Sequence, residues 1–111
     1  MRTVLRQDLT SAIKARDRVA ITALRSALAA IENAEAADNT APSPSGNAHF
    51  AGSVAGGAEV PRRVLTEHDV RAIVEAEVQE RSTSSAEYER LGREDAAERL
   101  HAEAAVLARY L

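Results

Sequence analysis

Apolar side chains recur every three or four positions in two blocks of this sequence, separated by a stretch that lacks the pattern. The first block runs from residue 2 to about residue 37, and the second from residue 65 to residue 111. This spacing places apolar side chains on one face of an α-helix. The chain is therefore predicted to be all-α, with its buried faces contributed by two separate parts of the sequence.

Composition supports helices and excludes several other classes of protein. Hydrophobic residues make up 45% of the 111 positions and aromatic residues only 3%, so an aliphatic, alanine-rich core is expected, which favours helix over sheet. The chain contains no cysteine, which excludes disulfides and thiolate metal sites. No apolar run approaches the roughly 20 residues that span a bilayer, and residues 1–13 do not resemble a signal peptide. We expect one soluble, cytoplasmic domain.

The first block predicts two helices joined by a very short turn. Residues 2–15 form the first helix, with apolar positions at Leu5, Leu9, Ala12 and Ile13. Asp17 is the predicted N-cap of the second helix, because its carboxylate can accept from free amides at the helix start. The second helix extends to about Ala37, and its apolar stripe is Ile21, Leu24, Leu28 and Ile31. The two helices should form an antiparallel hairpin.

Residues 38–64 interrupt the helical pattern. They contain all three prolines and four of the five glycines of the chain. A segment of this composition cannot bury enough apolar area to offset the conformational entropy of ordering it. We predict a long flexible loop inside the domain.

The second block predicts two more helices and completes a small four-helix bundle. Thr66 is the expected N-cap of the third helix, with Asp69 closing a capping box. This helix ends either near Arg81 or at Gly92, a residue that readily adopts the left-handed conformation. The last helix starts around Asp95 and is expected to bury Leu100, Ala104, Leu107 and Leu111.

Several charged residues lie on the apolar faces of these helices. Glu35 falls at the centre of the stripe of the second helix, Glu77 and Arg81 lie within that of the third, and Glu103 flanks that of the last. An unpaired charge in an apolar environment is costly, so these groups need partners. One interpretation is a set of internal ion pairs in which Arg81 binds Glu35 or Glu103. The alternative places Arg81 in an exposed groove for a phosphate or a carboxylate.

The net charge of −3 conceals an uneven distribution. Residues 1–25 hold six Lys or Arg against two Asp, whereas the other 86 residues hold eight basic against fifteen acidic residues. A basic end on an acidic body can direct a polyanion to one face, although solvated helix surfaces explain the same counts. The candidate phosphate contacts are Lys14, Arg16, Arg18 and Arg25 near the first turn, and Arg93 beside Gly92.

Residues suited to catalysis are not arranged in a recognisable pattern. The histidines at 49, 68 and 101 lack metal-ligand spacing, and no glycine-rich phosphate loop precedes a helix. The serines at 82, 84 and 85 have no histidine nearby in sequence. We predict no catalytic residue, metal or cofactor.

Three segments together resemble the GatB/YqeY family. They are LTSAIKARDRVAITALRSALAAIENAE (9–35), LTEHDVRAIVEAEVQER (65–81) and AEYERLGREDAAERLHAEAAVLARYL (86–111). Their order and spacing are similar to the family pattern "K-x-x-D … LR … AI-x-N-A-E", "L-T … E-V-x-x-R" and "Y … G-R-x-D … E … L-x-x-Y-L". The resemblance covers nearly all of the chain outside the predicted loop.

This resemblance implies an α-helical module that is also found as the C-terminal tail of the GatB component of tRNA-dependent amidotransferases. Those enzymes amidate Glu-tRNA or Asp-tRNA with glutamine as nitrogen donor, so the family carries the label carbon–nitrogen ligase with glutamine as amido-N-donor. The chemistry belongs to another domain, and the tail helps to hold tRNA. The resemblance therefore implies a non-catalytic, tRNA-associated module, with tRNA and a protein of translation or of an amidotransferase as partners.

An alternative to tRNA association is a protein-interaction or scaffold module without a role in nucleic-acid binding. The chain also departs from the family in two places. The 38–64 loop is longer than the usual connection, and members usually continue beyond the position of Leu111 into a further small helical subdomain that is absent from this sequence.

Overall fold

The described part of the chain folds into four α-helices. The computed structural model describes residues 1–40 and 64–111, with 37–40 as backbone only, and within these ranges it contains no strand. The helices are α1 (Arg2–Ala15), α2 (Arg18–Thr40), α3 (Glu67–Arg90) and α4 (Glu94–Ala108). The predicted all-α class is confirmed. No helix in the described part is long and apolar enough to cross a membrane.

A two-residue turn joins α1 to α2. Arg16 ends α1 in the left-handed conformation (φ 60°, ψ 36°), which non-glycine residues adopt infrequently. Its N–H donates to the Ile13 carbonyl at 3.1 Å, and the N–H of Asp17 donates to the Ala12 carbonyl at 3.0 Å. The Asp17 carboxylate accepts from the Ala20 N–H at 3.1 Å, as predicted for the N-cap of α2.

The second helix is longer than its apolar pattern predicts. It continues to Thr40, so residues 38–40, which the pattern assigns to the loop, are helical. None of these three residues is a proline or a glycine, and the first helix-breaking position is the one before Pro42. The remainder of the predicted loop, residues 41–63, lies outside the described residues.

The capping box predicted at the start of α3 is present. The Asp69 N–H donates to the Thr66 hydroxyl at 3.0 Å, and the Thr66 N–H donates to the Asp69 carboxylate at 3.0 Å. The helix then runs through the serine-rich segment to Arg90, the longer of the two expected alternatives. Gly92 follows with φ at 77°, a conformation that glycine adopts without steric cost.

Helix α2 lies at the centre of the bundle, between α1 and the α3–α4 hairpin. Its alanines Ala20, Ala23 and Ala27 are as deeply buried as Leu24 and Ile31, which allows close approach of neighbouring helices on more than one side. The other helices complete the core with one or two residues each, namely Leu5, Ala12, Val70, Val74 and Leu107.

Two apolar residues expected in the core are exposed. Leu111 is 37% exposed because it follows the last turn of α4. Leu100 is half-buried, as are Leu9, Ile21 and Leu28 of the first two helices. Ile13 is 45% exposed, since it lies about 100° around α1 from the buried Ala12. It opens instead onto the surface beside the α1–α2 turn.

Polar contacts between helices show which helix ends lie next to each other. Arg2 at the start of α1 binds Glu35 near the end of α2, and the Met1 ammonium binds Glu67 at the start of α3. Halfway along the bundle, Ser26 of α2 contacts Glu77 of α3. The α1–α2 turn and the α3–α4 turn therefore lie at the same end of the bundle.

Candidate anion-binding groove

An open groove lies beside the α1–α2 turn. Its walls come from the end of α1, the turn and the first two turns of α2, and its lining residues are Ile13, Arg16, Arg18, Ile21, Thr22 and Arg25. The four residues from α2 follow the i, i+3, i+4, i+7 spacing, so they occupy one face of the helix within an arc of about 100°. The local sequence thus concentrates its charges on one surface.

The three arginines of the groove have no acidic partner in the described chain. Arg16, Arg18 and Arg25 are exposed, and within residues 1–40 and 64–111 none of them forms an ion pair. The positive end of the α2 dipole lies at the same place. Asp17 is the nearest acidic residue in sequence, and its carboxylate already accepts the Ala20 N–H. The groove is therefore a surface of positive potential.

The other two candidate phosphate contacts lie elsewhere. Lys14 is exposed in the last turn of α1 and does not line the groove. Arg93 is in the α3–α4 turn, where its guanidinium lies 5.8 Å from the centroid of the Tyr88 ring. Its immediate surroundings include Glu94 and Asp95. The structure brings together three of the five predicted basic residues.

An acidic surface lies on the α3–α4 hairpin. Glu89, Glu94, Asp95, Glu98 and His101 share one open pocket there. No set of three or more His, Asp or Glu residues in the described part of the chain has an arrangement that could hold a metal ion.

Arg81 lies inside the bundle, between two carboxylates. It is 9% exposed, its Nε donates to Glu103 Oε1 at 3.0 Å, and its Nη1 donates to Glu77 Oε1 at 2.9 Å. Glu77 also accepts from the Ser26 hydroxyl at 2.7 Å. The network joins α2, α3 and α4, and Arg81 is not among the residues that line the groove.

Glu35 has a partner that the helical pattern does not indicate. Its Oε2 accepts from Arg2 Nη2 at 2.8 Å, whereas the pattern points to Arg81 as its partner. A two-residue turn at 16–17 places Arg2 opposite about residue 31, and Glu35 lies one helical turn further along α2, within reach of a long arginine side chain.

The Tyr110 hydroxyl donates to the Asp8 carboxylate and connects the end of α4 to α1. Burial, together with this hydrogen bond and the charge of Asp8, raises the pKa of Tyr110 to about 12. Glu103 lies within α4 and contacts α3, whereas Tyr110 lies two residues beyond the end of α4 and contacts α1.

The fold defines a small all-α module without a recognisable catalytic cluster among its described residues. The profile of the family described as "Yqey-like protein" matches residues 55–111, more than half of the chain, and the chain belongs to this family. The match includes α3, α4 and the Arg81–Glu103 pair, while the groove at residues 13–25 lies outside it. No curated protein and no solved structure gave a significant match.

Proposed function

We propose that this YqeY-like chain is a non-catalytic, tRNA-associated module whose groove holds phosphates of the RNA backbone. The observation that carries the proposal is the convergence of Arg16, Arg18 and Arg25, all exposed and without acidic partners in the described chain, on one open surface. The resemblance of three sequence segments to the helical tail of tRNA-dependent amidotransferases supports tRNA as the RNA concerned.

The chemistry of the groove suits binding rather than reaction. A guanidinium presents a planar fork of donors that matches two phosphate oxygens, and the free amides at a helix N-terminus favour an anion nearby. Thr22 supplies the only hydroxyl of the lining, and no histidine or carboxylate is among the six residues that could activate it. The surface offers affinity for a polyanion and no general base.

The direct test is a titration of the purified chain with bulk tRNA at several salt concentrations. We expect binding at about 50 mM salt that weakens as salt rises, with a logarithmic slope of roughly −2 to −3 for three phosphate contacts. The double variant Arg18→Gln/Arg25→Gln should bind tRNA much more weakly. The magnitude of its logarithmic salt slope should be smaller by about 2, because two phosphate contacts are lost.

The matched control removes two other exposed arginines. In Arg71→Gln/Arg90→Gln the net charge changes equally, but these side chains pair with Glu75 and Glu87 and lie outside the groove. This variant should retain most of its tRNA affinity. Absence of binding by the unaltered chain at about 50 mM salt, or equal losses in both double variants, would remove the proposal.

A further inference from the structure

We infer that the groove recognises the backbone of a base-paired RNA stem and does not read the sequence of its bases. This inference rests on the proposed function and names the class of RNA that the same surface takes. It follows from which side chains line the groove and from how rigidly they are spaced.

The lining lacks the aromatic side chains on which most proteins stack single-stranded bases. Single-stranded nucleic acids are bound mainly by stacking bases on aromatic rings, and the six lining residues include none. They also include no Asn, Gln, Asp or Glu to pair with base edges. Arginine can recognise guanine in DNA, but the deep and narrow major groove of an RNA stem excludes side chains. In a stem, the three arginines therefore contact phosphates.

The spacing of the arginines is set by regular secondary structure. Arg18 and Arg25 are seven residues apart on α2, which separates them by about 10 Å along the helix axis. A stem presents phosphates in a fixed arrangement, whereas a single strand must first be ordered to match two arginines whose backbone positions are fixed by α2. This entropic cost favours the stem.

The residues between the two arginines match the sugar edge of a stem. Ile21 is half-buried and apolar, and Thr22 offers an exposed hydroxyl. The shallow minor groove of an RNA stem presents riboses with their 2′-hydroxyls. An arginine at each end, with an apolar surface and a hydroxyl between them, complements two phosphates flanking a sugar edge.

The same face of α2 also limits the size of the site. Glu32 is exposed and lies seven residues beyond Arg25, so it has nearly the same direction around the helix axis. Its carboxylate repels a phosphate placed further along α2. The basic surface is therefore short, which is consistent with two or three phosphate contacts and a modest affinity.

The test compares three labelled RNAs of equal length with the full chain, by fluorescence anisotropy at low salt. They are a stem-loop, a second stem-loop with permuted base pairs, and an unstructured single strand. We expect the two stem-loops to bind within about twofold of each other and the single strand about tenfold more weakly. Arg18→Gln/Arg25→Gln should reduce binding of both stem-loops to a similar extent.

The outcomes separate this inference from the proposed function. Failure of the chain to bind any of the three RNAs would count against the proposed function itself. If all three bind through Arg18 and Arg25 but the single strand binds as tightly as the stems, or permutation changes affinity about tenfold, the groove remains an RNA site. In that case recognition of a base-paired backbone is overturned.

Discussion

Arg81 shows how a charged side chain becomes part of an otherwise aliphatic core. Its side chain is 10% exposed, and those of its partners Glu77 and Glu103 are 16% and 7% exposed. The guanidinium satisfies both carboxylates, and the Ser26 hydroxyl supplies a further donor to Glu77. One guanidinium serves two carboxylates, so its attraction and the hydrogen bonds offset part of the cost of removing these groups from water, and the bonds join α3 to α4.

Replacement of Arg81 by methionine should destabilise the protein strongly. Methionine replaces the unbranched stem of the arginine but leaves the buried Glu103 without its cation. Removal of one partner of a buried pair typically costs about 3–5 kcal/mol. The free energy of unfolding, measured by urea denaturation followed by circular dichroism, is the appropriate readout.

The control for Arg81 is an arginine in an exposed pair. Arg90 binds Glu87 on the surface of α3, and exposed pairs contribute about 0–1 kcal/mol. Arg90→Met should therefore change stability little. A loss for Arg81→Met no larger than that for Arg90→Met would contradict the structural role of the buried network.

Tyr110 should make stability depend on pH in the alkaline range. Its pKa rises from the ordinary value of 10 to about 12 in the folded protein, so the folded state holds the phenolic proton more tightly than the unfolded state. The resulting stabilisation is fully present below pH 10 and is lost as pH rises through 12. Tyr110→Phe should lack this component.

Two measurements check the behaviour of Tyr110. Ultraviolet absorbance of the folded protein should show a tyrosine that ionises near pH 12 and is absent from Tyr110→Phe. The difference in unfolding free energy between the two proteins should narrow between pH 10 and 12. A Tyr110 that ionises near pH 10 would show that the contact with Asp8 does not form in solution.

At the scale of the helices, the ends are determined mainly by local interactions. At the start of α3, the side chains of Thr66 and Asp69 each accept the backbone N–H of the other residue. At the start of α2, the Asp17 carboxylate accepts the Ala20 N–H. Interactions of this range depend on neighbouring residues alone, and these helix starts are therefore predictable from the sequence. The end of α2 is not predictable in this way, because the apolar pattern stops before the helix ends at Thr40.

Thr66→Ala should destabilise the protein by about 0.5–2 kcal/mol, since it removes the side-chain acceptor of the Asp69 N–H. The loss is measured as a shift in the midpoint of urea unfolding without a change in slope. Thr3→Ala is the control, because Thr3 is exposed within α1 and is not an N-cap. Equal midpoints for the two variants would show that the capping box contributes nothing.

At the scale of the whole molecule, the sequence predicts the fold more completely than the site. Helical periodicity identifies all four helices, and the cluster of basic residues near the first turn is visible in the sequence alone. The seven-residue spacing of Arg18 and Arg25 places them on one face of α2, but whether Ile13 and Arg16 join that surface depends on a turn geometry that the helical pattern does not encode. Ile13 is expected in the core but lies in the groove, and the pairing of Arg2 with Glu35 joins two helices whose alignment the apolar stripes do not define.

In the folded bundle, the basic groove and the acidic residues of the α3–α4 hairpin form two separate surfaces. The basic groove and the acidic surface of the α3–α4 hairpin are both near the end that carries the two turns. The carboxylates of the hairpin repel a polyanion and the arginines of the groove attract one, so approach from the side of α1 and α2 is favoured.

The contacts between the two hairpins join residues that are far apart in the chain: 51 positions separate Ser26 from Glu77, and 102 separate Asp8 from Tyr110. Within each hairpin, by contrast, the turn brings its helices together over a few residues. Closing short loops costs less entropy than closing long ones, so each helix pair can assemble early and the docking of the pairs comes later. The groove beside the α1–α2 turn, whose lining comes entirely from the first pair, is thus expected to take shape before the chain has finished folding.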